Sequence, residues 1–526
     1  MVRFLPLVLV VCCWAGDGDE AFLLDRLARL ERAYEGTVRK LTPASVRERE
    51  ALLREVGFLP LAGAAQARAA ALLGRIAQTD RFFAVRAAAA RALGHVGSPA
   101  ALEAIYAALF SPDVRRRNFE LLHEVLPDAL EPVRAAEDLA WIGRELLAPA
   151  AGGAEGGAVW RSGQELQEAM VELTLDGLGR ARGRILAPEV ASLARRGSPR
   201  IRAAALRALV AMEVADPSLT EGLTDADPGV RAAAAAYPGH APELLSRALA
   251  DPVPRVRRAA IVALAARGGA GAIDLLLAAQ AKEKEKERVV RRDLSAALRA
   301  LTGKSLGRDP ERWQSWWAAN RATFAGPAEP EPDSHTYFFD VGLQTECVLF
   351  LVDVSASMQA QDAEGKSRLE RAALELQGTL ARLPPEARFV LFAFASEARR
   401  WPDSGEAAPA RAGEAVQWLR SRKPAGSTNT YGALMSAFED PVGPDTMVLL
   451  SDGSPYRCSW RGRTYSERDQ ILAEVRRANE TRGVRVHAVA LFTGGRGAGE
   501  EEDEEGAAAF LRGLAREHEG EFREVR

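Results

Sequence analysis

From Glu20 to about Ala150 apolar residues return every three to four positions, the spacing that lines one face of a helix. A Val-Arg or Ile-Arg pair opening an Ala- and Leu-rich stretch recurs at Val85-Arg86, Val114-Arg115, Ile201-Arg202, Val230-Arg231, Val256-Arg257 and Val290-Arg291. Within clusters these pairs lie 29, 29, 26 and 34 residues apart. Pro112, Pro199, Pro228 and Pro252 sit where helices should start, since proline fits a first turn and stops the element before it. A period near 30 residues with two helices per unit predicts an α-solenoid, whose arginines cap turns or pair with neighbouring acids. The run LAPAAGGAEGG (147–157) interrupts it. Trp313, Trp316 and Trp317 share one helix face and read as a cap on the last repeat.

Past this point the pattern changes. AGPAEPEPDS (325–334) is proline- and acid-rich and reads as a solvated linker separating the helical part from a second domain. Continuous apolar strands then alternate with amphipathic helices. Strands are predicted at Cys347–Asp353, Ala387–Ala395 (Arg399–Pro402 folding back on it), Thr446–Ser451, Val484–Phe492 and Glu521–Val525. Helices are predicted at Ser367–Leu383, Ala412–Arg420, from Tyr431, at Glu467–Thr481 and at Ala507–Glu517. Such alternation implies a doubly wound, mainly parallel α/β sheet covered on both faces. The chain is thus multidomain: helical repeats over 19–150 and 158–323, a linker over 324–340, and an α/β domain over 341–526.

The net charge of −3 and a pI of about 6.2 give no electrostatic case for nucleic acid. At the amino terminus, Phe4 to Trp14 is an apolar run of eleven. That falls short of the roughly 20 residues a membrane helix needs and fits a secretory signal over residues 1–18. The mature chain is then expected in the cell envelope or outside the cell, with no transmembrane segment. Cys347 lies ~20 Å down its strand from Asp353 at about 3.3 Å per residue. Cys458 belongs to the other edge, so no disulfide is expected. Gly303-Lys304-Ser305 is no phosphate loop, because Leu298 stands where that motif needs glycine.

The chemistry gathers at CVLFLVDVSASM, residues 347–358. A buried strand ends on Asp353, with Ser355 and Ser357 following at alternate positions. Three hard oxygens suit Mg²⁺, Mn²⁺ or Ca²⁺, while the same residues alone also fit a helix cap. Asp452 ends a second parallel strand, and sites in such sheets form beyond the carboxyl ends. The domain resembles the von Willebrand factor type A family with its metal-ion-dependent adhesion site. The likeness rests on Asp353-x-Ser355-x-Ser357, on Gly426-Ser427-Thr428-Asn429 and on Asp452 in LLSDG. It implies that Ser355, Ser357 and Thr428 bind a divalent metal, most simply Mg²⁺, directly, and Asp353 and Asp452 directly or through water. Ala356 and Ser427 replace common glycines without removing a ligand. Residues 225–268 resemble HEAT-type repeats.

The expected function is non-enzymatic: a partner protein's carboxylate completes the metal's coordination. No histidine stands in a motif loop to serve as a base. A scaffold whose solenoid binds the partner while the metal is structural, or an accessory subunit of an enzyme complex, are the alternatives. Tyr456, Arg457 and Trp460 are candidates for a ligand rim. The acidic run Glu500, Glu501, Glu502, Asp503, Glu504 and Glu505 reads as a loop that either masks the site or is a solvated insert.

Overall fold

A computed structural model describes residues 19–40, 42–110, 119–150, 164–283, 287–307, 309–327, 336–343, 345–362, 364–385, 387–405, 408–453, 455, 458–461, 463–465, 468–492 and 500–526. The signal-like start (1–18) and most of the break at 147–157 fall outside that set. The chain forms two compact units, Met1–Ala234 and Ala235–Arg526.

The described secondary structure of the first unit is helical. Pro43, Pro99, Pro199 and Pro217 each open a helix, where a missing N–H leaves no bond unmade. Helices meet closely where side chains are small. A Cβ on Gly94 would lie 1.8 Å from the Ala129 carbonyl oxygen, so only glycine allows this approach. The repeated arginines do local work. Arg86 donates to the carbonyls of Asp80 and Arg81 in the turn before its own helix. Arg202 grips Asp225 through two bonds of 3.0 and 2.9 Å.

The second unit opens with helices Pro242–Leu249, Pro254–Arg267, Gly269–Gln280, Arg288–Thr302 and Pro310–Asn320. Arg257 repeats the pattern, capping Asp251 and Pro252 and forking onto Glu283. Trp313 and Trp317 are buried, with the Trp317 indole donating to Asp274, so this face does seal the last helices. Gly303 caps Arg288–Thr302 in the left-handed conformation, its N–H bonded to the Arg299 carbonyl.

The α/β domain runs β1 (Thr336–Phe338), β2 (Val341–Leu343), β3 (Cys347–Asp353), α1 (Arg368–Arg382), β4 (Arg388–Phe394), β5 (Ala398–Arg400), α2 (Ala408–Arg420) and α3 (Thr430–Phe438). It continues with β6 (Thr446–Ser451), β7 (Cys458–Trp460), β8 (Arg463–Tyr465), α4 (Arg468–Asn479), β9 (Arg485–Leu491), α5 (Glu500–Glu517) and β10 (Phe522–Val525). The main sheet has the order β10-β9-β6-β3-β4-β5, parallel except for the edge strand β5. β3 feeds two cores by alternation. Val348, Phe350 and Val352 face α1 and α2, while Leu349 and Leu351 face α3, α4 and α5. Each such side chain stabilises the fold by about 1.5–3 kcal/mol on leaving water.

Three features depart from the sequence reading. β1 starts at Thr336, inside the segment read as linker, and pairs antiparallel with β2. β7 and β8 form a hairpin between Ser451 and Glu467, where no strand is predicted. The acidic run is no loop: α5 starts at Glu500, not Ala507. Glutamates favour helix, and a negative first turn complements the helix dipole.

Nor does the linker hold the two parts of this unit away from each other. Arg292, buried on Arg288–Thr302, donates to the Asp445 carbonyl at 2.6 Å and the Gly483 carbonyl at 3.3 Å. Arg288 reaches the carbonyls of Val442 and Gly443, and Arg291 pairs with Glu346 at 3.3 Å. Arg255 meets Glu480 at 2.7 Å. Every one of these partners lies just before β3, β6 or β9, or at the end of α4. The helices therefore clamp the amino edge of the sheet and leave the carboxyl edge to the site.

Candidate metal centre at the carboxyl edge of the sheet

β3 and β6 are fully buried apolar strands in parallel register, Val352 opposite Leu450, so Asp353 and Ser451 end neighbouring strands side by side. The Asp353 carboxylate is completely buried. Its Oδ1 accepts the Ser355 N–H at 2.7 Å and its Oδ2 accepts the Ser451 hydroxyl at 2.5 Å. The first bond curls the chain out of the strand and presents the serines. Ser355 Oγ lies 3.1 Å from Ser357 Oγ, and the Ser357 hydroxyl donates to Asp452 Oδ1 at 2.7 Å.

A second loop closes over this turn. Ala425 N–H donates to the Val354 carbonyl, Ala356 N–H to the Gly426 carbonyl and Asn429 N–H to the Ala395 carbonyl. Gly426 holds φ at +86°, which glycine adopts without strain. Thr428 is thereby buried beside the Asp452-Gly453 turn, where a Cβ on Gly453 would lie 3.3 Å from its Oγ1. Asn429 caps α3 through the Gly432 N–H, and its amide also donates to the carbonyls of Ser396 and Ser459. Cys458, buried and unbonded to Cys347, directs its thiol at the Thr428 carbonyl. The β7–β8 hairpin is thus stitched to the threonine loop.

Asp353, Ser355, Ser357 and Asp452 are joined by hydrogen bonds, with Thr428 against the same turn. Trp460 packs partly into the core beneath α3, its ring covered by the Arg461 guanidinium at 5.5 Å. Tyr456 and Arg457 lie outside the described residues. Glu500, Glu501, Glu502, Asp503, Glu504 and Glu505 begin α5, and of these the structure describes one side chain, that of Glu504. It is buried and lies 3.8 Å from Arg368. The Asp362 carboxylate accepts from the Glu364 and Lys366 N–H groups and pairs with Arg371.

The sequence reading missed Ser451 and Arg368. Arg368 is buried at the first position of α1 and donates to Asp452 Oδ2 at 2.7 Å. A cation in a helix's first turn runs against the macrodipole, and that local conflict was the available signal.

The donor set suits a cation. Burial, and then the charge of Asp452, push the Asp353 carboxyl up to about 7 against the bonds from Ser451 and Ser355. Two carboxylates held this close repel, and a cation between them removes that cost. The Ser357 proton points at Asp452, so the oxygen lone pairs remain for a metal. Among the described residues no three His, Cys, Asp or Glu side chains form a metal cluster; the candidate set here is two carboxylates and three hydroxyls, hard oxygen donors throughout.

Comparison with known proteins gives family matches for separate segments of the chain. Residues 346–523 match the von Willebrand factor type A domain. Residues 217–299 match HEAT repeats, and residues 85–111 the PBS lyase HEAT-like repeat. Among solved structures, an aerotolerance-related membrane protein from Bacteroides fragilis is similar at 20% identity, covering 34% of this chain and 91% of that one, with a TM-score of 0.25. A von Willebrand factor type A protein from Catenulispora acidiphila is similar at 18% identity, covering 35% and 40%, with a TM-score of 0.26. Proximal thread matrix protein 1 from the mussel byssus, solved with a zinc-occupied MIDAS motif, is similar at 18% identity, covering 34% and 41%, with a TM-score of 0.23.

Proposed function

We propose, on the premise that the C-terminal third of this chain is a von Willebrand factor type A domain preceded by HEAT repeats, that the protein is a divalent-metal-dependent protein-binding module. The observation that carries this is the hydrogen-bonded array of Asp353, Ser355, Ser357 and Asp452 with Thr428 beside it. Ser355, Ser357 and Thr428 would hold Mg²⁺ through hydroxyl oxygens, with Asp353 and Asp452 binding directly or through water. When bound, the cation offers an open position to a partner's carboxylate, forming a charge-assisted contact in a partly dry setting.

The protein's own residues fix that geometry. Ser451 and the Ser355 amide orient Asp353, Asp452 orients the Ser357 hydroxyl, and Asn429 braces the threonine loop. Binding rather than turnover fits the surroundings. His487 and His518 are held neutral by burial, at about 3 and about 4, and His518 lies in the turn after α5, at the amino edge. We place the protein in the cell envelope or outside the cell on the strength of its signal-like start. Among the described residues no helix is long and apolar enough to cross a membrane.

The test is thermal melting of the full chain in EDTA and in Mg²⁺, for wild type and Asp353→Ala. A Mg²⁺-dependent rise in Tm that the variant lacks supports the reading, and identical curves for the wild type sink it. Should Mg²⁺ bind while partner capture is indifferent to EDTA, the solenoid is the binding surface instead.

A further inference from the structure

Asp452 is tied on both sides. Ser357 occupies Oδ1 and Arg368 occupies Oδ2, and the same guanidinium faces Glu504 at 3.8 Å from the start of α5. All three charged side chains are nearly sealed from solvent, at 8%, 0% and 9% exposure for Arg368, Asp452 and Glu504. A buried cation in this position is not incidental packing. It neutralises one metal-site carboxylate whether or not a metal is bound.

We propose that Arg368 is a built-in counter-cation that sets both the affinity and the charge selectivity of the metal centre, with Glu504 tuning it from the amino end of α5. This rests on the metal-binding reading of the site. Among the described side chains, Asp353, Asp452 and Glu504 set against the Arg368 guanidinium carry a formal charge of two negative units once Asp353 is ionised, as metal binding requires. A divalent cation brings the cluster to neutrality, while a trivalent one overcharges it. Buried charge that is left uncompensated is costly, so the cluster's net charge selects the ion. Arg368 also stabilises the metal-free state, since it keeps Asp452 paired when no ion is present. Metal must then be held against a resident competitor, which keeps the site exchangeable. Glu504 draws the guanidinium the other way. The acidic start of α5 therefore acts on the metal centre through Arg368 and needs no contact with the ion itself.

The experiment titrates Mg²⁺ calorimetrically and Tb³⁺ by sensitised luminescence into full-length wild type, Arg368→Met, Arg368→Lys and Glu504→Gln. Arg368→Met should bind Mg²⁺ about tenfold tighter and gain more for Tb³⁺, because a positive charge in contact with a site carboxylate is gone. Its Tm in EDTA should fall. Arg368→Lys keeps the charge and should stay within about threefold of wild type, although a point charge replaces a guanidinium that meets Asp452 with one nitrogen and faces Glu504 with the other. Glu504→Gln should weaken Mg²⁺ about threefold or more. If Arg368→Met does not fold, Glu504→Gln decides: weaker binding supports the proposal, and unchanged or tighter binding overturns it. Wild-type Mg²⁺ affinity in Arg368→Met, or a Lys variant that behaves like Met, overturns it too. A wild type that binds neither ion defeats the metal-site reading itself, which separates the two failures.

Discussion

Replacing Arg292 by methionine tests whether the helices and the α/β domain of the second unit form one body. The guanidinium donates to the carbonyls of Asp445 and Gly483 and to Asp293 Oδ1 at 2.9 and 2.7 Å, with about 1% of the side chain exposed. Asp445 keeps a second donor in the Arg485 N–H, and Asp293 keeps Arg258. The Gly483 bond is lost, and the fork that joined two strand starts to one helix is gone. Breaking a buried pair costs about 3–5 kcal/mol, and the retained partners place this variant near ~3 kcal/mol. For a unit of this size that is a fall of about 5 °C in its melting transition. A second readout isolates the clamp. After proteolytic nicking within 324–340, wild-type fragments should co-elute on gel filtration and Arg292→Met fragments should separate. Separation of the wild-type fragments, or a variant within about 0.5 kcal/mol of wild type, would refute the reasoning.

Gly94→Ala forces a methyl to within 1.8 Å of the Ala129 carbonyl oxygen, so the first unit should lose about 1–3 kcal/mol in chemical denaturation. His518, pushed down to about 4 by burial, stays neutral in the fold while the unfolded chain protonates near 6.5. Its contribution is therefore complete above about pH 6.5 and is lost as pH falls toward about 4, at up to ~1.4 kcal/mol per unit. The stability difference between wild type and His518→Phe should follow that slope, and a flat difference contradicts it. Trp317→Phe removes the donor to Asp274 and should cost about 1–2 kcal/mol in the last helices, measured by denaturant midpoint.

The elements that bear the site were legible because two independent signals coincided in them. β3 and β6 are unbroken apolar runs with a carboxylate at the last residue (Asp353) or just past it (Asp452), and both strands occupy the boundaries read from the sequence. The helical repeats were legible from their proline and Val-Arg period, although the helix read from Pro252 opens at Pro254, and Pro112 and Val114-Arg115 lie outside the described residues. What escaped was short or long-range. β7 and β8 have three residues each, with serine, threonine and arginines among the apolar positions, too little for a period-two pattern. The first two turns of α5 were hidden by their charge, which looks like a solvated insert until the helix dipole is considered. Arg288, Arg291 and Arg292 read as one more helix face. Their partners lie 55 to 191 residues away, and spacing within a helix says nothing of them. Arg368 was the exception, since its place at a helix start already conflicted with the local rule.

The central claim is that Asp353, Ser355, Ser357, Thr428 and Asp452 hold one divalent cation. Its most direct test is a calorimetric titration of Mg²⁺ into metal-stripped full-length protein, alongside Asp353→Asn. The account predicts one site per chain in the wild type and loss of that site in the variant. At a hundredfold excess over Kd the bound ion should add about 2.7 kcal/mol to the stability of the second unit. No heat of binding in the wild type, or equal binding in Asp353→Asn, would contradict it.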